Sequence, residues 1–122
     1  MAYVAQKGAT KVVDAATVNN AAYSTPGLIP LAHQGPVSIW VSCDQSFDLD
    51  VGTVAKSTTT AAELDKDYSQ SSTANGAVAT YATKCITFWP NNSTGFAWVS
   101  LKNVSGAAAA TVSIWMKQLS EA

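Results

Sequence analysis

The chain contains no arginine; all seven of its basic residues are lysine. Charged residues make up only 12% of the 122 positions, about half the share usual in a globular protein. Net charge is −1, so there is no basic field to attract nucleic acid or an anionic membrane surface. Histidine occurs once, as His33. Two cysteines, Cys43 and Cys85, are too few for a disulfide scaffold. Each stands in a strand-like run, which leaves two buried thiols or one bridge between strands as alternatives. No apolar run reaches the roughly 18 residues that a membrane helix needs. Met1 to Thr10 lack a basic region followed by an apolar core, so no secretory signal is expected.

Strand-like patterning takes the place of what is missing. Val37–Cys43 reads Val-Ser-Ile-Trp-Val-Ser-Cys and alternates strictly. Phe47–Val51, Phe96–Leu101 and Thr111–Lys117 show the same period of two, and Ala77–Thr83 and Cys85–Trp89 are further candidates. A period of two marks one buried and one exposed face, the habit of antiparallel sheets. Turn residues separate the runs at Asn75-Gly76, Pro90–Gly95 and Asn103–Gly106. Short strands with this punctuation predict an all-β antiparallel β-sandwich of jelly-roll-like type. One domain is the natural expectation at this length. Residues 1–36, broken by Pro26, Pro30 and Pro36, are expected to form an extended N-terminal arm with edge strands, Lys11–Ala15 and Leu28–Ala32. Residues 37–122 are expected to form the sandwich body, with a long loop at 55–76 that could hold a short helix over Ala61–Tyr68. Gly95–Leu101 and Ala109–Lys117 read as a terminal β-hairpin. The tetrapeptide Val-Ser-Ile-Trp occurs at 37–40 and again at 112–115, which suggests two strands in similar environments.

Catalytic chemistry finds little to work with. A nucleophile needs a positioned base, and His33 is the only imidazole. There is no phosphate-binding glycine loop, Cys-x-x-Cys pair or His-Glu-x-x-His run. Asp44, Asp48 and Asp50, or Glu63, Asp65 and Asp67, could approach a cation, yet neither group matches a calcium-loop pattern with its glycine. The same acids could supply a carboxylate pair for glycoside hydrolysis, as any eight acids could. No catalytic residue, metal or cofactor is therefore expected. Asn91, Asn92 and Asn103 head glycosylation sequons, which matter only in a secreted eukaryotic setting.

The tryptophans carry more information. In 37–43 one face is Val37, Ile39, Val41 and Cys43, and the other is Ser38, Trp40 and Ser42. In 96–101 one face is Ala97, Val99 and Leu101, and the other is Phe96, Trp98 and Ser100. In 111–117 one face is Val112, Ile114 and Met116, and the other is Thr111, Ser113, Trp115 and Lys117. The aliphatic faces should form the core, which leaves Trp40, Trp98, Trp115 and Phe96 on the outside. If the three strands are neighbours, these rings make one aromatic patch, and such a patch marks an interaction site. The arm or the 55–76 loop could cover it, a subunit could, or a sugar could stack on it.

The Ala-rich start Met1-Ala2-Tyr3-Val4-Ala5-Gln6-Lys7-Gly8, the β body beginning with Val37–Cys43 and the segment Phe96–Trp115 together resemble the head decoration (cement) proteins of tailed bacteriophages. The resemblance is one of style and covers most of the chain without a specific motif. It implies a virion structural protein on the capsid surface that stabilises the shell between coat-protein capsomers. It also implies a homotrimer and the major capsid protein as partner, without nucleic acid, membrane or enzymatic activity. The competing expectation is a carbohydrate- or host-surface-binding β-sandwich module, tail-associated or secreted.

Overall fold

Alternation in the sequence becomes strand pairing in the computed structural model, which describes residues 3–4, 8–71, 81–90 and 95–121. Among the described residues the strands are, in chain order, β1 (Tyr3–Val4), β2 (Thr10–Val18), β3 (Gly27–Pro30), β4 (Val37–Cys43), β5 (Phe47–Val54), β6 (Asp65–Ser71), β7 (Tyr81–Phe88), β8 (Phe96–Asn103), β9 (Ala110–Gln118) and β10 (Ser120–Glu121). The turn signals at Asn75-Gly76 and Asn91–Thr94 lie outside the described residues, as does the start of the Ala77–Thr83 candidate. The rest of that candidate merges with Cys85–Trp89 into β7.

The pairing has one rule. β1 pairs with β10, β2 with β9, β3 with β8, β4 with β7 and β5 with β6, every pair antiparallel. The chain thus doubles back on itself about residues 55–64, and the double ribbon is rolled up. Two further pairings, β4 with β9 and β5 with β8, close the roll into sheets of order β2-β9-β4-β7 and β3-β8-β5-β6. Two four-stranded antiparallel sheets wound in this way make an eight-stranded jelly roll.

The core lies between the sheets and follows the expected parity. Val37, Ile39, Val41 and Cys43 from β4, and Val112, Ile114 and Met116 from β9, meet Leu49 and Val51 from β5 and Ala97, Val99 and Leu101 from β8. All of these are at most 2% exposed. Val13 and Val18 of β2 and Ile29 of β3 join the same cluster, and β2 and β3 each form one of the two outer strands of a sheet. β2 is irregular, with register shifts on either side of Val13 and a positive φ of 47° at Ala15. A bulged edge of this kind discourages pairing with a further chain.

Three differences from the sequence reading have physical causes. β8 and β9 do not form a hairpin: β8 belongs to the second sheet and β9 to the first, so residues 104–109 cross from one sheet to the other. Two alternating runs joined by a glycine-containing loop look the same in sequence whether they pair or cross. Within 55–76, residues 65–71 form β6, and only a 3-10 turn at Ala61–Glu63 stands where a helix could have formed. The strand Asp-Lys-Asp-Tyr-Ser-Gln-Ser has almost no hydrophobic alternation. It is held at the sheet edge by backbone pairing to β5, which hydropathy does not register.

Asn103 secures the crossover. Its side chain is fully buried. Nδ2 donates to Val18 O at 2.9 Å and to Ala108 O at 2.8 Å, and Oδ1 accepts from Ser105 N–H at 2.9 Å. It therefore ties the end of β2 to both ends of the loop, and its sequon is sealed from modification. Asn103→Ala removes the amide donor from the buried end of β2 at Val18 O and the acceptor of Ser105 N–H, while Ala108 O keeps its bond from Ser105 Oγ. It should cost about 2–3 kcal/mol, read as a lower urea midpoint at unchanged slope.

Candidate functional site

The repeated Val-Ser-Ile-Trp has a structural counterpart. β4 and β9 are antiparallel neighbours in register, with Trp40 directly opposite Trp115, Ile39 opposite Met116 and Val41 opposite Ile114. Strand parity in this register turns the aliphatics of both strands inward and sets the two tryptophans opposite each other on the outer face of the first sheet. Both rings are half-buried. Facing cross-strand rings attract one another beyond their shared burial. Lys11 of β2 lies opposite Trp115 on its other side, with Nζ 5.2 Å from the ring centroid. Lys11 also pairs with Asp14 at 2.9 Å, an exposed contact of small energetic weight. Around the rings stand Ser38, Ser42, Thr111, Ser113 and Lys117. A shallow hollow of about 460 Å³ opens beside them, lined by Gly8, Ala9, Trp40, Trp115 and Lys117.

Trp98 and Phe96 do not join this patch. They face outward as parity requires, but from β8, in the opposite sheet. Phe96 is half-buried between Pro30 and Val54, its register partners. Trp98 is only 4% exposed. Its Nε1–H donates to Thr53 O at 3.2 Å and to Asp65 O at 3.1 Å. The start of β6 thus lies against the indole. Gly52, the register partner of Trp98, makes this approach possible: a Cβ there would overlap the Asp65 carbonyl. The single patch of three rings is replaced by a pair on one sheet and a covered ring on the other. Strand parity holds within each strand but says nothing about which sheet a strand enters.

A second concavity adjoins Trp98 on the outer face of the second sheet. It has a volume of about 330 Å³ and is bounded by Tyr23, Pro26, Leu64 and Trp98, with Asp50, Lys66 and Thr59 at its polar edge. Tyr23 is 57% exposed and was not singled out by sequence, since it lies in no alternating run. It is placed by a bridge to Lys102, whose Nζ sits 5.7 Å from the ring centroid. The adjacent segment is pinned: Ser24 N–H donates to Leu101 O, Leu101 N–H to Ser24 Oγ, and Ser100 Oγ to Ser24 O. Trp89 is the other large exposed aromatic among the described residues, at the end of β7.

The remaining candidates are accounted for by local contacts. His33 Nδ1 lies 3.0 Å from Gln34 O, and its carbonyl accepts from Gln118 Nε2 at 2.7 Å. Among the described residues, no acidic side chain lines the hollow of about 430 Å³ beside His33. Among the described residues no three His, Cys, Asp or Glu side chains converge as metal ligands would. Asp44 accepts from Thr111 N–H at 2.9 Å, Asp50 accepts from Ser69 Oγ, and Glu63 pairs with Lys56 at 2.8 Å. That last contact lowers the Glu63 pKa and raises that of Lys56. Cys43 is a free, buried thiol. The register sets Cys85 opposite Trp40, three residues along the strand from Cys43. Burial pushes the Cys43 pKa up, and the charge of Asp44 adds to this, so the thiol stays protonated and donates to Gln45 O at 3.3 Å.

No family model matches the chain, and no curated protein matches it in sequence. Among solved structures it is similar to the insecticidal delta-endotoxin Cry8Ea1 from Bacillus thuringiensis, at 14% identity and a TM-score of 0.45 over 85% of this chain. The match spans only 19% of the endotoxin. It is also similar to the carbohydrate-binding module CBM6cm-2 from Cellvibrio mixtus lichenase 5A in complex with cellotriose (13% identity, TM-score 0.41, 94% of this chain and 90% of that one). A CBM4 structure matches at 13% identity and a TM-score of 0.39, over 98% of this chain and 73% of that one. Likeness at this level carries no argument about what the chain binds. The conclusion that stands is architectural: this is an all-β protein, an antiparallel β-sandwich with jelly-roll winding.

Proposed function

We propose that the protein is a non-catalytic assembly module, a virion structural protein that decorates a capsid and stabilises it between coat-protein capsomers. The observation that carries the assembly reading is the Trp40–Trp115 pair, half-exposed on the outer sheet face beside Lys11, Ser42, Ser113 and Lys117. Interfaces are enriched in aromatics and depleted in charge at their centres, and a few large rings dominate their energy. The same face is continuous with the hollow at Gly8 and Ala9. A neighbouring subunit or a coat protein fits such a surface, and the low charge of the whole chain suits burial in a symmetric assembly. The capsid setting rests on the resemblance drawn from the sequence, and the assembly is a homotrimer with the major capsid protein as partner.

Light scattering on the purified chain tests this. A trimer is expected, and Trp115→Ala or Trp40→Ala should convert it to monomer while the monomer's melting temperature changes little. Each truncation should weaken association by at least about 2 kcal/mol. A wild-type chain that stays monomeric at every concentration, with its tryptophan fluorescence quenched by saccharides through Trp40 and Trp115, would instead make this face a sugar-stacking platform.

A further inference from the structure

We infer that the cleft between Tyr23 and Trp98, on the sheet facing away from the Trp40–Trp115 pair, is a binding site for a short neutral saccharide. The site goes beyond the assembly reading and does not depend on it. Its walls are Tyr23, Pro26, Leu64 and Trp98, and its volume of about 330 Å³ suits one or two sugar rings. A pyranose has an apolar face that stacks on an aromatic ring and a rim of hydroxyls that both donate and accept. Tyr23 offers an exposed ring at the mouth. Asp50 offers a carboxylate acceptor and Lys66 an ammonium donor on the same cleft. Among the described residues Lys66 is held in no ion pair. Asp50 is engaged by one hydroxyl, that of Ser69, which leaves its carboxylate with acceptor capacity. The cleft lining carries one charge of each sign, with the Lys102 ammonium beside the Tyr23 ring at its mouth, so donors and an acceptor are mixed as the hydroxyl rim of an uncharged sugar requires.

The interior of the site is already built. The Trp98 indole N–H is consumed by two carbonyls, so this residue, only 4% exposed, is a fixed apolar support beneath the cleft and offers no hydrogen bond. The Ser24 hydroxyl accepts from Leu101 N–H and the Ser100 hydroxyl donates to Ser24 O, so both are anchored to the backbone. Asp50 and Ser100 stand directly opposite each other on β5 and β8, so the acceptor is carried on paired strands rather than on a loop. A pre-formed apolar floor with a few polar groups at its edge is the usual anatomy of a small-ligand site. Assembly through the opposite sheet would leave this cleft turned outward from the partner.

The test is a titration of the full chain, followed by amide chemical shifts, with methyl glucoside, methyl galactoside, N-acetylglucosamine, maltose and lactose. A zwitterionic dipeptide serves as the competing ligand class. At least one sugar should give saturable shifts at millimolar concentration, confined to residues 23–26, 48–52, 59–66 and 98–102. Asp50→Asn and Tyr23→Ala should each weaken that binding by about tenfold or more, while thermal melting shows both variants folded. Trp115→Ala should leave it unchanged, which separates this site from the assembly face. The inference is overturned if no sugar of the set saturates, if only the dipeptide binds, or if the shifts survive both substitutions at full strength.

Discussion

Ile114→Asp is expected to abolish cooperative folding at neutral pH. Ile114 has no exposed surface and sits at the centre of the core, opposite Val41 of β4 and Val13 of β2. Truncating a buried isoleucine costs about 2–5 kcal/mol through lost transfer energy and the cavity left behind. A buried carboxyl must also stay neutral, and holding it so at pH 7 costs about 4 kcal/mol, at 1.36 kcal/mol for each of roughly three pH units. Together these approach or exceed the stability of about 5–15 kcal/mol available to a domain. The pH dependence has a definite sign. The variant carboxyl has a folded pKa above its unfolded value, so its charge penalty is absent below about pH 4 and grows as pH rises. Circular dichroism should therefore show no melting transition at pH 7 and partial recovery of one near pH 4. Ile114→Val, with the charge omitted, should cost only about 0.5–1.5 kcal/mol. A variant Ile114→Asp that melts like the wild type would mean that β9 turns its other face inward.

Trp98→Ala is the second large effect, and it is where tertiary structure changes the expectation most. Parity places this ring on the outside of its strand, which by itself would make it dispensable for folding. The structure places it 4% exposed, with Nε1–H shared between Thr53 O and Asp65 O. Its removal takes away one of the largest packed side chains and leaves the Asp65 carbonyl at the start of β6 without this donor. A loss of about 3–5 kcal/mol is expected, read from the urea midpoint. Trp115→Ala on the other sheet, where the ring is half-exposed, should cost far less monomer stability. Equal midpoints for the two variants would show that the Leu64–Lys66 segment does not hold the indole down.

Period-two alternation made much of the fold legible. Strands β4, β5, β8 and β9 were readable because each carries an unbroken aliphatic face, and the residues on those faces are the core. β6 was not readable, because an edge strand such as Asp65–Ser71 is held by backbone bonds and needs no hydrophobic pattern. The β8–β9 connection reads as a hairpin in sequence, because the chemistry of a turn does not reveal whether the next strand pairs or crosses. Tyr23 and its cleft left no trace in any local pattern, since Tyr23, Asp50 and Lys66 come from three separate stretches of chain.

The sequence by itself determined which side of β4, β8 and β9 faces inward. A side chain's direction along an extended backbone depends only on its position in the alternation, which is a local property. The repeated tetrapeptide marks β4 and β9 as strands in similar environments, but the register that sets Trp40 opposite Trp115 is a property of their antiparallel pairing. Only the tertiary structure decided which sheet each strand joined, and so which rings meet and which are covered. Trp98 parted from Trp40 and Trp115 because β8 pairs with β3 and β5, a choice made by long-range backbone pairing and the joint burial of both sheets.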